Sequence, residues 1–224
     1  MARQPTGRYS GVYQVVGDVP EASSPEIRVR ILDEATRLFA GRGFEGTSVQ
    51  AIADAVGIRK PSLLYWFESK DALRRAVLDE VLAHWKAELP HLMRAATTGK
   101  DRFASGVGAL LAYFRAEPWR ARLILREMLD APDEMRGRLV EHIRPWTGLV
   151  GDYIRLGQSQ GSVRADADPE AYVVEVVAMV IGTVALGEVS AAMIAPSPSV
   201  QKQLEELVRI ARAALFNVRP ARKG

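Results

Sequence analysis

Apolar residues recur at three- and four-residue steps along most of the chain, the period of helices with one face turned to a core. Ile27, Ile31, Ala35, Leu38 and Phe39 make the first stripe, with Ser24 as N-cap, Pro25 in the first turn and Glu26 beside the helix dipole. Gly41 and Gly43 stop this helix. Thr47-Ser48-Val49-Gln50 then matches a capping box with Thr47 as cap, opening a two-turn helix whose inner face is Val49, Ile52, Ala53 and Val56. Gly57 ends it, and Ile58 folds back toward the core. A third short helix begins around Arg59-Lys60-Pro61-Ser62 and contributes Leu63, Leu64 and Phe67. Ser69 caps a long fourth helix through about Leu89, with Pro90 marking its end.

Beyond Gly99 the pattern lengthens into helices over 101–115, 118–130, 133–159, 168–194 and 198–217, the last three separated by Gly161, Asp166 to Pro169, and Pro196 to Pro198. Strand alternation with hairpin turns is missing, as are internal repeats. The expected fold is all-α: a flexible arm over 1–23, a helix-turn-helix domain with a three-helix core over 24–90, and a larger helical domain over 91–224. Short helices bury too little area to stand alone. They hold only when packed together, here around Leu38, Phe39, Phe44, Ile52, Val56, Ile58, Leu63 and Phe67, and two crossing at a Gly turn describe a helix-turn-helix.

Composition narrows the classes. With 48% hydrophobic residues the chain can bury a core, and with 25% charged it suits an aqueous, cytoplasmic setting. It has no cysteine, which excludes disulfides and thiolate metal sites. Residues 1–23 carry Arg3 and Arg8 without an apolar h-region, so they do not read as a secretory signal. The most apolar stretch, Val176 to Gly187, runs twelve residues between Glu175 and Glu188, against about 20 needed to span a membrane. It reads as a buried helix, and no membrane partner is expected. The net charge of +3 is compatible with nucleic acid but does not establish it.

The quoted stripes and turns resemble a known family. Ile31-Leu32-Asp33-Glu34-Ala35 through Leu38-Phe39, Gly41-Arg42-Gly43-Phe44, Thr47-Ser48-Val49, Ile52-Ala53, Ala55-Val56-Gly57-Ile58 and Phe67-Glu68-Ser69-Lys70 resemble the tetracycline-repressor (TetR) family across residues 26–86. Residues 95–224 match it only in helix number and layout. The resemblance implies a homodimer that presents its third helix to the major groove of a near-palindromic operator and is released by a small-molecule effector. Two-fold protein symmetry matches half-sites related the same way, and a major groove admits one helix.

On that resemblance the DNA-binding candidates are Thr47, Gln50, Arg59, Lys60, Pro61, Ser62, Tyr65, Trp66 and Lys70. Thr47 combines a hydroxyl with free amides at a helix start, a site for phosphate. Gln50 can close the capping box or donate to DNA. Arg59 can read guanine bidentately, and Lys60 can meet phosphate or guanine. Tyr65 can reach a phosphate or a thymine methyl, Trp66 can pack in the core or face DNA, and Lys70 can meet a phosphate. The family commonly has a small hydroxyl residue at the place of Arg59 and a tyrosine at the place of Leu64. Here the tyrosine comes one residue later, about 100° further round the helix.

The resemblance also implies a cavity, for which Phe103, Tyr113, Phe114, Trp119, Met128, Trp146, Tyr153 and Met179 are the candidate lining, since aromatic and methionine side chains line adaptable apolar pockets. Single residues of this kind at helical spacing are more often core. The final two helices are the expected dimer interface, through Tyr172, Val176, Val180, Val184, Leu204, Leu207, Val208, Ala211 and Leu215. A helix apolar on every side must be covered on every side, and two from each partner would make a four-helix interface.

An enzyme is the first rival reading. His84, His91 and His142 are not at metal-ligand spacing, and Gly106-Val107-Gly108 lacks the third glycine and preceding strand of a dinucleotide motif. No nucleophile–base pair stands out, and neither cofactor nor metal is called for. The second rival is a helical adaptor that uses the same fold to bind protein. The charges at Arg59, Lys60 and Lys70 argue against it.

Overall fold

The computed structural model describes residues 25–97, 101–194 and 199–216. The arm over 1–23 and the Ser24 cap lie outside the described residues, as do Pro196 to Pro198. Among the described residues ten helices run in order: α1 (Pro25–Arg42), α2 (Val49–Val56), α3 (Lys60–Trp66), α4 (Lys70–Thr97), α5 (Arg102–Ala116), α6 (Pro118–Asp130), α7 (Pro132–His142), α8 (Arg144–Ser159), α9 (Pro169–Ala191) and α10 (Val200–Leu215). Among the described residues the only extended pairing is an isolated bridge between Val163 and Phe216.

The head is built as its sequence predicts, apart from one cap. Gly43 stops α1 with φ of 77°, and Gly57 stops α2 with φ of 79°, both in the left-handed region glycine enters without a Cβ penalty. Arg30 donates to the Val56 carbonyl at 2.6 Å and ties α1 to the end of α2. Ile31, Ala35, Phe39, Ile52, Val56, Leu63, Phe67, Leu73 and Val77 are buried together. Each large apolar side chain buried there contributes about 1.5–3 kcal/mol, which three short helices need. The cap is Ser48 rather than Thr47: the Ser48 hydroxyl accepts from the Ala51 N–H at 3.0 Å.

Two expected boundaries are corrected. Pro90 does not end α4, which continues to Thr97. A proline removes one i→i−4 hydrogen bond, and a long helix held on both sides of the gap accommodates it. The expected helix over 133–159 is two, α7 and α8, broken at Ile143. There Pro145 occupies the first turn of α8, the one helical place where a missing N–H is harmless.

The head's core is continuous with that of the larger domain. There α9 packs against α5, α6, α8 and α10 and is the central element. By length and composition α9 could cross a membrane, yet Val176, Val180, Ile181 and Val184 are buried against the surrounding helices. A small second core of Ile154, Val163 and Leu215 closes the far end, where the Arg164 N–H donates to the Leu215 carbonyl at 3.1 Å.

Most of the expected interface residues take part in packing within the protomer. Val176, Val180, Val184, Leu204, Leu207, Ala211 and Leu215 are buried inside the protomer, and Tyr172 and Val208 are half-buried, with the Tyr172 hydroxyl donating to the Ala211 carbonyl at 2.8 Å. The apolar faces of α9 and α10 meet each other and their neighbours in the same chain. What α9 turns outward is a different, smaller-residue stripe including Ala171, Val174, Ala178 and Leu186.

Candidate functional site

Helix α3 is seven residues long and buries one of them, Leu63. That shallow seating leaves one face of the helix outward. Arg59, in extended conformation just before the helix, is exposed, as are Lys60 and Pro61 in its first turn. Ser62 is half-buried. Tyr65 is 79% exposed, an unusual place for a tyrosine with no partner to meet. Trp66 packs partly on the core, with its ring edge-on to Tyr65 at 5.8 Å. Ser69 caps α4 as expected, accepting from the Ala72 N–H at 3.0 Å.

Three candidates make contacts within the protein. Thr47 is 1% exposed, and its hydroxyl donates inward to the Gly43 carbonyl at 2.8 Å and the Leu38 carbonyl at 3.2 Å. It braces the α1–α2 turn, so the hydroxyl available at the start of α2 is that of Ser48. Gln50 does not close a capping box: it is exposed and donates to Asp54 at 2.6 Å. Lys70 is half-buried with its ammonium 4.1 Å from the centre of the Phe44 ring, a cation–π contact that fixes its position beside the end of α3.

The head is gripped from the larger domain by two adjacent residues of α6. Arg126 donates from Nε to the Ala40 carbonyl at 2.9 Å and from Nη2 to the Gly41 carbonyl at 3.2 Å, satisfying orphan carbonyls at the end of α1. Glu127, 3% exposed, accepts from Arg74 Nε of α4 at 3.0 Å. The same guanidinium donates to Glu134 of α7 at 3.2 Å and lies 5.2 Å from the Phe44 ring centre. The Glu127 hydrogen bond outweighs burial and raises the Arg74 pKa above its ordinary value. Arg138 of α7 pairs with Asp79 of α4, and Arg122 of α6 donates to the Ala185 carbonyl of α9 at 3.1 Å. Sequence reading missed this set. Its members are charged residues on exposed-looking helix faces, and only the fold brings them together.

A cavity of about 530 Å³ lies among α4, α5, α8 and α9, floored by the turn around Val163 and the end of α10. Of the eight expected lining residues it includes Phe103, Trp146 and Tyr153. Phe114 is instead fully buried core, edge-on to Trp85 at 5.1 Å. Met128 and Met179 pack on that core, and Trp119 is at the surface beneath Arg122. Tyr113 borders a separate hollow of about 350 Å³ with His84, Glu88 and Arg120. Burial pushes its phenol up to about 12, against the opposing Arg120 charge. The lining residues missed include Trp85, Leu89 and Leu92, an apolar i, i+4, i+7 stripe on α4 whose last member lies beyond the expected helix end at Pro90.

A pair of short helices joined by a glycine turn, the second with a solvent-facing side, fixed to a helical domain that encloses a cavity, is the architecture of a two-domain helix-turn-helix protein. Comparison with known proteins agrees in both halves. Residues 31–77 match the model for bacterial regulatory proteins of the tetR family, and residues 124–197 match the tetracyclin repressor-like C-terminal domain. The chain belongs to the TetR family. The HTH-type transcriptional regulator RutR of Escherichia coli (strain K12) is 34% identical over 139 residues, 57% of this chain. The match spans 62% of that relative's length. The HTH-type transcriptional repressor KstR2 of Mycolicibacterium smegmatis is 29% identical over 63% of this chain and 69% of its own. Among solved structures, the ketosteroid transcriptional regulator KstR2 of Mycobacterium tuberculosis superposes with a TM-score of 0.64 at 19% identity, covering 88% of this chain and 98% of that one. PfmR from Thermus thermophilus, a TetR family transcriptional regulator, gives 0.64 at 21% identity, covering 87% and 98%. At such identities these structures speak for the fold.

Proposed function

We propose that this chain is a cytoplasmic, homodimeric transcription repressor that holds a near-palindromic operator through α3 and is released when a mostly apolar small molecule occupies the 530 Å³ cavity. The observation that carries the reading is the outward face of α3, where Arg59 at its N-cap and Lys60 and Tyr65 on the helix stand exposed while Leu63 and Trp66 hold it to the core. Arg59 reads a base edge, while Lys60, Tyr65 and Lys70 meet the backbone, with Ser48 taking the phosphate role first assigned to Thr47. Pro61 and Ser62 shape and line the approach, and Gln50 and Trp66 lie at its margin. The relatives are named as transcriptional regulators and repressors, which supports this reading over a protein-binding adaptor or an enzyme.

The second copy docks on the outward stripe of α9, through Val174, Ala178 and Leu186, all exposed in the protomer. Small residues there allow close approach, and a symmetric patch is self-complementary. Selection of bound sequences from a random duplex pool, followed by footprinting, tests the whole. The expected result is a two-fold site protected at physiological salt. Binding that is indifferent to sequence and vanishes at that salt would overturn the reading.

A further inference from the structure

The cavity's lining says which class of molecule it takes, an inference that rests on reading this cavity as the effector site. Its wall is formed almost wholly by aliphatic and aromatic side chains, and it contains no carboxylate. Three hydroxyls of its lining are already engaged within the protein. The Tyr172 hydroxyl donates to the Ala211 carbonyl at 2.8 Å, and the Ser162 hydroxyl donates to the Gly157 carbonyl at 3.0 Å. The Thr147 hydroxyl points to its own helix, 3.5 Å from the Ile143 carbonyl. A ligand body therefore gains by being apolar, since a polar group placed there leaves its hydrogen bonds unmade.

One charged residue lines the cavity, Arg102 at the start of α5, and it is exposed at the rim. The neighbouring carboxylate cannot balance it. Asp101 is paired with Arg212 and accepts from the Ala104 N–H at 3.1 Å. Arg212 in turn lies over the outer face of Phe103, 5.1 Å from the ring centre, beside the same rim. Among the described residues Arg102 has no ion-pair partner. A mostly apolar wall ending at one unbalanced guanidinium is complementary to a molecule of the opposite design.

We propose that the cavity binds an amphipathic monoanion, with an apolar body inside and a single carboxylate at the rim against Arg102. At about 30 Å³ of liquid volume per heavy atom the space holds a body of about 18 heavy atoms at most. A cationic head is disfavoured because it would meet Arg102 and find no acid in the wall. A neutral head forgoes the ion pair.

Decanoate, 1-decanol and decylamine, kept below their micelle concentrations, share one chain and differ in head charge. Calorimetric titration of the full chain should show decanoate binding, and Arg102→Gln should weaken it about fivefold while leaving decanol unchanged, as for one solvent-exposed ion pair. Added salt should shrink the difference. An Arg102→Gln variant that changes decanoate and decanol alike or not at all, decylamine binding as tightly as decanoate, or absence of decanoate binding would overturn the proposal. The operator is then added to each complex. Decanol that releases DNA while decanoate does not bind leaves the repressor reading standing and removes the anion. Arg102-dependent decanoate binding that leaves operator affinity unchanged keeps the anion site and removes the sensor.

Discussion

Arg126 Nε donates to the Ala40 carbonyl at 2.9 Å, so a side chain of α6 finishes a helix that belongs to the reading head. The adjacent Glu127 binds Arg74 of α4 from within the protein interior. Helix α6 thus holds both sides of the head, and through Arg122 it is tied to α9, which borders the cavity.

Removing one partner of the buried pair should be worse than removing both. Glu127→Ala leaves the Arg74 guanidinium with only the more exposed Glu134 contact at 3.2 Å and should cost about 1–3 kcal/mol in urea unfolding. Arg74→Met combined with Glu127→Leu should recover most of that loss. If Glu127→Ala is as stable as the parent, the pair does not hold the head. Arg126→Ala, which frees two carbonyls nearer the surface, should cost about 1–3 kcal/mol and speed amide exchange in the last turn of α1.

The two neighbouring hydroxyls before α2 should separate stability from DNA binding. Thr47→Val strands the Gly43 and Leu38 carbonyls and should destabilise by about 1–3 kcal/mol, with operator affinity of the folded protein unchanged. Ser48→Ala should cost about 0.5–2 kcal/mol as a lost cap and weaken all duplexes alike. The reverse pattern in a gel-shift series would return the phosphate role to Thr47.

On α3, Arg59→Ala should relax preference at one base pair per half-site by about 1–3 kcal/mol. Lys70→Ala should weaken every sequence and lower the salt slope by about one. An unchanged base preference in the Arg59 variant would remove it as the reader.

The dimer face can be tested against the buried one. Val174→Glu with Ala178→Glu should give a folded monomer by light scattering, with lost operator affinity. Leu207→Glu places a carboxylate where the native side chain is 4% exposed, and should unfold the protomer instead. A folded monomer from Leu207→Glu would restore α10's inner face as the interface.

Alkaline stability should reflect the buried phenol of Tyr113, raised from 10.0 to about 12. Below pH 10 the phenol is neutral folded or unfolded. Between about pH 10 and 12 only the unfolded chain ionises it, so stability falls as pH rises through that window. Tyr113→Phe should flatten this limb of the urea midpoint against pH, and an unaltered limb would place the cause elsewhere.

The head is largely legible in the sequence because its signals are local. Gly43 and Gly57, the stripe from Ile27 to Phe39 and the Ser69 cap act within a few residues of themselves. The cap of α2 is misplaced by one because Thr47 and Ser48 both carry a hydroxyl, and only the turn's tertiary packing decides which one faces inward. The dimer face is harder to read for a different reason. A stripe such as Leu204, Leu207 and Ala211 says that something covers it, not whether the cover belongs to the same chain. Cavity residues are harder still: Phe114 and Trp146 look alike in sequence, and what separates them is empty space beside one.

Pro90 has a mechanical consequence. Trp85 and Leu89 border the cavity before it on α4, and Leu92 and Met93 border it after. The ring at Pro90 donates no hydrogen bond to the preceding turn, so the helix is most compliant there. A molecule filling the cavity pushes on both arms about this soft joint and changes the angle between them more readily than it slides the rod. The head, fastened to the first arm through Arg74, would therefore swing as the tip of a bent lever rather than follow a piston.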